Sequence, residues 1–322
     1  MLHIGRLWAV VLVLAGASSY GIGSSVYKLA LGDGWEAAHL TFMQVLSGTA
    51  LLWLAMGLRG LRRMRARSSG AAAGTGAGVG SVRARREWLK LTIIGIVGLA
   101  LTTMFYNEAL SRIDASLAIV LLFQFTWITI LLESIRRRAW PKRSEWLATL
   151  CIAAGTLLAV GLLEQDFSRV DGLGVLYGLL SAVTYSLFFF LTDFLPAELD
   201  PIAKSSIMST ASLAFVALSH LPTAYEWSGS DHIVWWGLLL GMLNTAIPFF
   251  FFNIGIPKLG GGLAALLGSM ELPAAVIAAY FLLSEPMSAW QAGGILLILF
   301  GIWAAQNRAN DSLVIAGEEG ED

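Results

Sequence analysis

Apolar residues come along this chain in runs of about 20, separated by short clusters of charge, glycine or proline. Within the runs nothing alternates at every second position. Runs of that length match a bilayer core about 30 Å thick, crossed by a helix rising about 1.5 Å per residue. They predict helices at 7–30, 36–58, 88–110, 114–135 and 145–163, then at 171–193, 201–221, 233–256, 261–283 and 288–306. Transmembrane strands would alternate polar and apolar positions, and these runs do not. The expected fold class is therefore an all-α integral membrane protein of about ten transmembrane helices. The first run, Leu7 to Leu31 behind Arg6, is too long for the core of a signal peptide and has a counterpart in the second half.

Two segments fall outside the pattern. Arg59 to Arg86 holds GAAAGTGAGVG between arginines, and residues 59–87 read as a flexible linker. A phosphate loop is a poor reading, since no strand precedes the glycines and no Gly-Lys-Ser/Thr follows. The tail 308–322, ending Gly-Glu-Glu-Gly-Glu-Asp, reads as disordered.

The halves match each other. FYNEALSRIDASLA (Phe105 to Ala118) aligns with FFNIGIPKLGGGLA (Phe251 to Ala264), putting Asn107 on Asn253 at an offset of 146. Tyr20 pairs with Tyr185 at an offset of 165, and the long Arg59 to Arg86 segment accounts for the difference. The plan is thus a first five-helix repeat over 1–165 and a second over 166–307. Five is odd, so the two repeats cross the bilayer in opposite senses, an arrangement that lets secondary transporters put one site at the midplane.

Composition agrees. At 57% hydrophobic and 13% charged, the chain has too little polar surface to cover a soluble globule. A net charge of −1 gives no electrostatic case for nucleic acid. Cys151 lies in an apolar run as a packing residue, and no His/Cys spacing suggests a metal site. No cofactor is expected. With ten helices and the N-terminus inside, 18 of the 21 Lys and Arg residues fall on the cytoplasmic side, leaving Lys28, Arg112 and Arg169 outside. That bias predicts a multi-pass plasma-membrane protein with both termini cytoplasmic. The arginine-rich segment is expected to hold anionic lipid headgroups.

The stretch LGSMELPAAVIAAYFLLSEPMSAWQAGGILLILFGIWAA (Leu267 to Ala305) resembles the closing helices of the EamA family in the drug/metabolite transporter superfamily. Glu271, Pro273, Glu285, Gln291, Gly294 and Gly301 carry the likeness. In the first copy Thr126 stands where the proline is expected, and Arg136 to Arg138 lie near the expected terminal Glu. The resemblance implies a permease or exporter of metabolites such as amino acids. With the mid-helix polar groups, it implies a cavity lined by the first, third, fourth, sixth, eighth and ninth helices.

Polar groups deep in apolar helices are costly and usually face the bundle interior. The candidate substrate contacts are Glu271, Gln124, Asn244, Tyr185, Tyr20, Ser18 and Trp127, with Ser19 beside them. Glu271 reads either as a cation ligand or proton carrier, or as a hydrogen-bonded packing residue. Serines that bond their own backbone and aromatics that face lipid are the plain alternative for the others. Asn107 and Asn253 read as helix-end hydrogen-bonders, Ser288 with Gln291 as a capping box, and Lys28 and Asp193 as gate or snorkelling residues. An enzyme is disfavoured, because neither His-Glu-x-x-His nor Gly-x-Ser-x-Gly occurs and the four histidines fall near helix ends or loops. A channel-like facilitator or a receptor remains the alternative to a secondary active transporter. Oligomeric state stays open, a homodimer among the options.

Overall fold

A lipid-facing backbone has no water to bond, so each crossing segment must satisfy its own N–H and C=O groups, and the apolar runs do so as helices. The computed structural model describes residues 5–68, 82–113, 115–160, 171–197, 199–220, 232–284 and 286–318. The first crossing is α1 (Arg6–Gly32) and the second α2 (Ala37–Ser68). The third joins α3 (Val82–Ile93), a π-helical stretch Ile94–Ala100 and α4 (Leu101–Leu110). The fourth is broken into α5 (Ala115–Leu122) and α6 (Phe125–Arg137), and α7 (Arg143–Ala159) completes the first half.

The second half repeats the scheme. α8 (Gly172–Thr192) and α9 (Pro201–His220) precede an eighth crossing made of α10 (His232–Gly241), a π-helical stretch Met242–Ala246 and α11 (Ile247–Leu259). The ninth is broken into α12 (Gly261–Gly268) and α13 (Glu271–Leu282), and α14 (Ala289–Glu318) is the tenth. Among the described residues nine helical segments have the length and hydropathy to cross a membrane. α7, with 17 residues, sits at the short end of that range.

Local chemistry sets the ends. Asp171 accepts the Leu173 amide (3.0 Å) as N-cap of α8, and Asp200 accepts the Ile202 amide (2.9 Å) ahead of Pro201, the first residue of α9. Ser288 and Gln291 form the expected capping box, with N···O distances of 2.9 and 3.2 Å. Glu285 lies outside the described residues.

In two places the helices run beyond the apolar runs. α2 runs on to Ser68 and α3 begins at Val82, so the described part of the presumed 59–87 linker is helical, while 69–81 lies outside the described residues. α14 likewise continues to Glu318, so most of the presumed disordered tail is helix. Arginine, lysine and glutamate are good helix formers, and a helix need not stop where the membrane does.

The halves interlock. α8 packs along α4 and against α5 and α6 of the first half, while α1 packs along α11, α12 and α13 of the second. Two groups result, the sixth crossing with the third and fourth, and the first with the eighth and ninth. α7 and α14 pair beside them, with Gly155 and Gly294 letting their backbones touch.

Candidate functional site

The breaks in the fourth and ninth crossings are the same structure. At the first, the amide of Gln124 bonds the carbonyl of Leu121, Thr126 that of Phe123, and Ile128 that of Gln124 (3.2, 3.3 and 3.3 Å). At the second, Met270 bonds Leu267, Leu272 bonds Ser269, and Ala274 bonds Met270 (3.1, 3.3 and 3.1 Å), each residue 146 positions later. The π-helical stretches also correspond, Met242–Ala246 lying on 96–100 at the same offset. Glu271 therefore corresponds to Phe125, and Gln124 to Met270. Trp127, not Thr126, stands opposite Pro273.

The two copies keep the break by different means. In the ninth crossing Pro273 has no N–H for the Ser269 carbonyl, and the Leu272 amide takes it instead. The fourth crossing has no proline. There the Gln124 amide has turned to Leu121, and the Gln124 side chain donates to the Val120 carbonyl (2.8 Å) that the turn leaves behind. Trp127 donates its indole N–H to the Gln124 side-chain oxygen (2.8 Å), so both residues brace the break.

Glu271 opens α13 directly after the break. Gly21 on α1 lies against its carbonyl, where any Cβ would collide. Among the described residues no side chain forms a salt bridge or hydrogen bond with the Glu271 carboxylate. The phenols of Tyr20, Tyr106 and Tyr185 lie within electrostatic range of it. Glu271, Tyr20 and Tyr106 sit deep in the bundle yet keep part of their surface open, so they border internal space. Tyr185 is buried, its ring centroid 4.6 Å from Phe125 and 5.2 Å from Phe189. Phe252 continues this aromatic wall, 5.6 Å from Phe189 and 6.1 Å from Phe188. The first, third, fourth, sixth, eighth and ninth crossings thus each contribute a side chain to one cluster.

Not every candidate joins it. Asn244 lies in the second π stretch, buried, donating to Gln44 on α2 (3.2 Å) and packed against Gly23. Gly21 and Gly23 are two residues apart, about 200° around α1, so Asn244 and Glu271 meet different faces of that helix. Ser19 is buried and donates to the Leu243 carbonyl (2.8 Å), tying α1 to the same stretch, while its neighbour Ser18 is only half-buried. Asn253 bonds Ser205 (3.1 Å) and the Phe249 carbonyl (2.9 Å), a packing role.

Three features escaped the sequence reading. Tyr106 lies between the matched Phe105 and Asn107, so the repeat itself pointed to it. Lys204 is fully buried, donating to the Asn253 carbonyl (2.9 Å). At the arginine-rich end, buried Glu133 accepts the Gly262 amide (2.7 Å) and pairs with Arg136 (3.4 Å) and Arg137. Arg136 also reaches Asp193 (2.9 Å) and lies 5.0 Å above the Phe194 ring. Burial lifts the Asp193 carboxyl above its ordinary value, and the Arg136 guanidinium pulls it part of the way back.

The profile of the EamA-like transporter family matches residues 7–161 and again 172–305, one copy for each half. The chain belongs to the EamA-like transporter family. This EamA protein is accordingly an integral membrane transporter of the drug/metabolite transporter superfamily, built as two repeats. A solved structure bearing only the words "Crystal structure of protein" is similar to it with a TM-score of 0.70 and 17% identity, over 93% of this chain and 99% of that one. That likeness carries the fold alone. No curated protein matches the chain at a significant level.

Proposed function

We propose that this EamA protein is a secondary active transporter that moves a small organic metabolite bearing a basic nitrogen, an amino acid or amine, across the plasma membrane by alternating access, with proton coupling. The observation that carries this reading is the Glu271 carboxylate, set at a helix break deep in the bundle with no basic partner among the described residues. An ionised carboxylate at that depth costs several kcal/mol unless it is compensated. Two states escape the cost, the protonated acid and the carboxylate with a bound cation. Exchange between them couples substrate to protons. The ring faces of Tyr20 and Tyr106 add attraction for an ammonium group on the order of 1 kcal/mol each. The bias of 18 basic residues to 3 supports cytoplasmic termini.

The test is flux in proteoliposomes, with a panel of amines and amino acids offered with and without an imposed pH gradient. Uphill accumulation driven by the gradient is expected, and Glu271→Gln abolishes the pH dependence while leaving the protein folded. Flux that never exceeds equilibrium would identify a facilitator instead. Wild-type flux and pH dependence in Glu271→Gln would make Glu271 a packing residue.

A further inference from the structure

The two groups of crossings touch unequally at their two ends. On the arginine-rich side α12 packs against both α6 and α8. On the opposite side α5 turns to α8 and α13 to α1, without extended packing between α5 and α13. On the arginine-rich side of Glu271 the two groups are thus joined through α12, and on the other side α5 and α13 make no comparable junction.

We propose that Glu133 is the latch that holds the arginine-rich side of this path shut. Glu133 belongs to α6, in one group, and the amide it accepts, that of Gly262, belongs to the first turn of α12, in the other. A carboxylate there meets both unpaired N–H groups and the positive end of the helix dipole, the most favourable partner an acid finds short of a cation. Its other contacts hold it ready within its own half. Arg136, itself fixed by Asp193, and Arg137, which also reaches Glu145 (3.9 Å), both grip the Glu133 carboxylate. Gly262 completes the fit, because a Cβ at that position would collide with the Glu133 carboxylate oxygen.

Among the described residues the latch has no counterpart at the other end. At the offset of 146, Glu133 corresponds to Ala279 and Gly262 to Ser116, so the position on α13 that matches Glu133 carries no carboxylate. Two repeats that otherwise share breaks and π stretches therefore differ where the path would close. The asymmetry favours the state closed on the arginine-rich side, and release of Glu133 from α12 is the step that opens it.

This inference rests on the alternating-access reading, but its test needs no substrate. Spin labels at Leu117→Cys and Leu282→Cys, in a Cys151→Ser background and in lipid nanodiscs, report the gap between α5 and α13. Thiol labelling of Leu266→Cys, buried one turn beyond Gly262, reports access from the arginine-rich side. The intact latch should give one dominant long distance and slow labelling. Glu133→Gln, which keeps an acceptor without the charge, and Glu133→Ala should add a shorter-distance population and raise the labelling rate about tenfold, the change expected for a shift of about 1.4 kcal/mol. Gly262→Ala, which pushes the carboxylate away without altering its charge, should act in the same direction, and it decides the matter if the Glu133 variants do not fold. Unchanged distances and labelling in every folded variant would overturn the latch. A shift with no measurable flux of any amine would leave the latch standing and remove the substrate reading.

Discussion

Phe125 and Glu271 are counterparts, each the first residue of the half-helix beyond its break, 146 positions apart. Each also meets the tyrosine of its partner crossing, Phe125 against the Tyr185 ring at 4.6 Å and Glu271 within electrostatic range of Tyr20. One half keeps an apolar, closed version of the site and the other a charged, partly open one. The single acid therefore lies off the axis relating the halves, and the site has one charged wall facing an aromatic one.

The brace at the first break makes a sharp prediction. Gln124→Met leaves the Val120 carbonyl and the Trp127 indole N–H without partners, and should lower stability by about 1–3 kcal/mol. Trp127→Phe removes one of the two bonds and should cost less. Because the residues share a bond, the double variant should lose less than the two single losses added together. Thermal unfolding in detergent reads all three; strict additivity would show that the two side chains do not act together.

Topology is tested by cysteines at Ser68 and Ser312. The bias of basic residues predicts that both lie on the cytoplasmic face, so neither should react with a membrane-impermeant thiol reagent in intact cells, and both should react after permeabilisation. Prompt labelling of either in intact cells removes the assigned orientation.

Asp193 gives a pH signature. Its native carboxyl lies above its ordinary value, so ionising it costs the folded state more than the unfolded one. That penalty is absent while both states are protonated, below the ordinary carboxylate range, and grows as pH rises through that range to the raised native value. Asp193→Asn escapes it. The Tm of Asp193→Asn relative to wild type should therefore increase from acid to neutral pH; a difference that stays flat or shrinks contradicts the assignment.

Much of this architecture was legible in the apolar runs and in the match of Asn107 with Asn253, because a lipid-facing helix must be long and continuously apolar. The break at Ser269–Met270 was foreshadowed by Pro273. Its twin at Phe123–Gln124 was not, since a side chain and not a proline maintains it, and a hydrogen bond to a displaced carbonyl leaves no mark in hydropathy. Asn244 read as a site residue because of its depth; only the packing of α1 and α2 around it shows that it lies against Gly23 and bonds Gln44. Glu133 drew no notice in the sequence, for its partner is a backbone amide 129 residues away. The extents of α2 and α14 were missed because charge ends a membrane run without ending a helix.

The interlocking of the two halves bears on how the chain assembles as it is made. Ser19 bonds a carbonyl 224 residues downstream, and Gly21 and Gly23 lie against groups from the ninth and eighth crossings. During synthesis, which proceeds from the N-terminus, the first crossing enters the bilayer long before these surfaces exist. It must wait there with its small-residue face covered by lipid or by a chaperone. Half-length fragments of this protein should accordingly be poor autonomous folding units, each holding a first helix shaped for the other half.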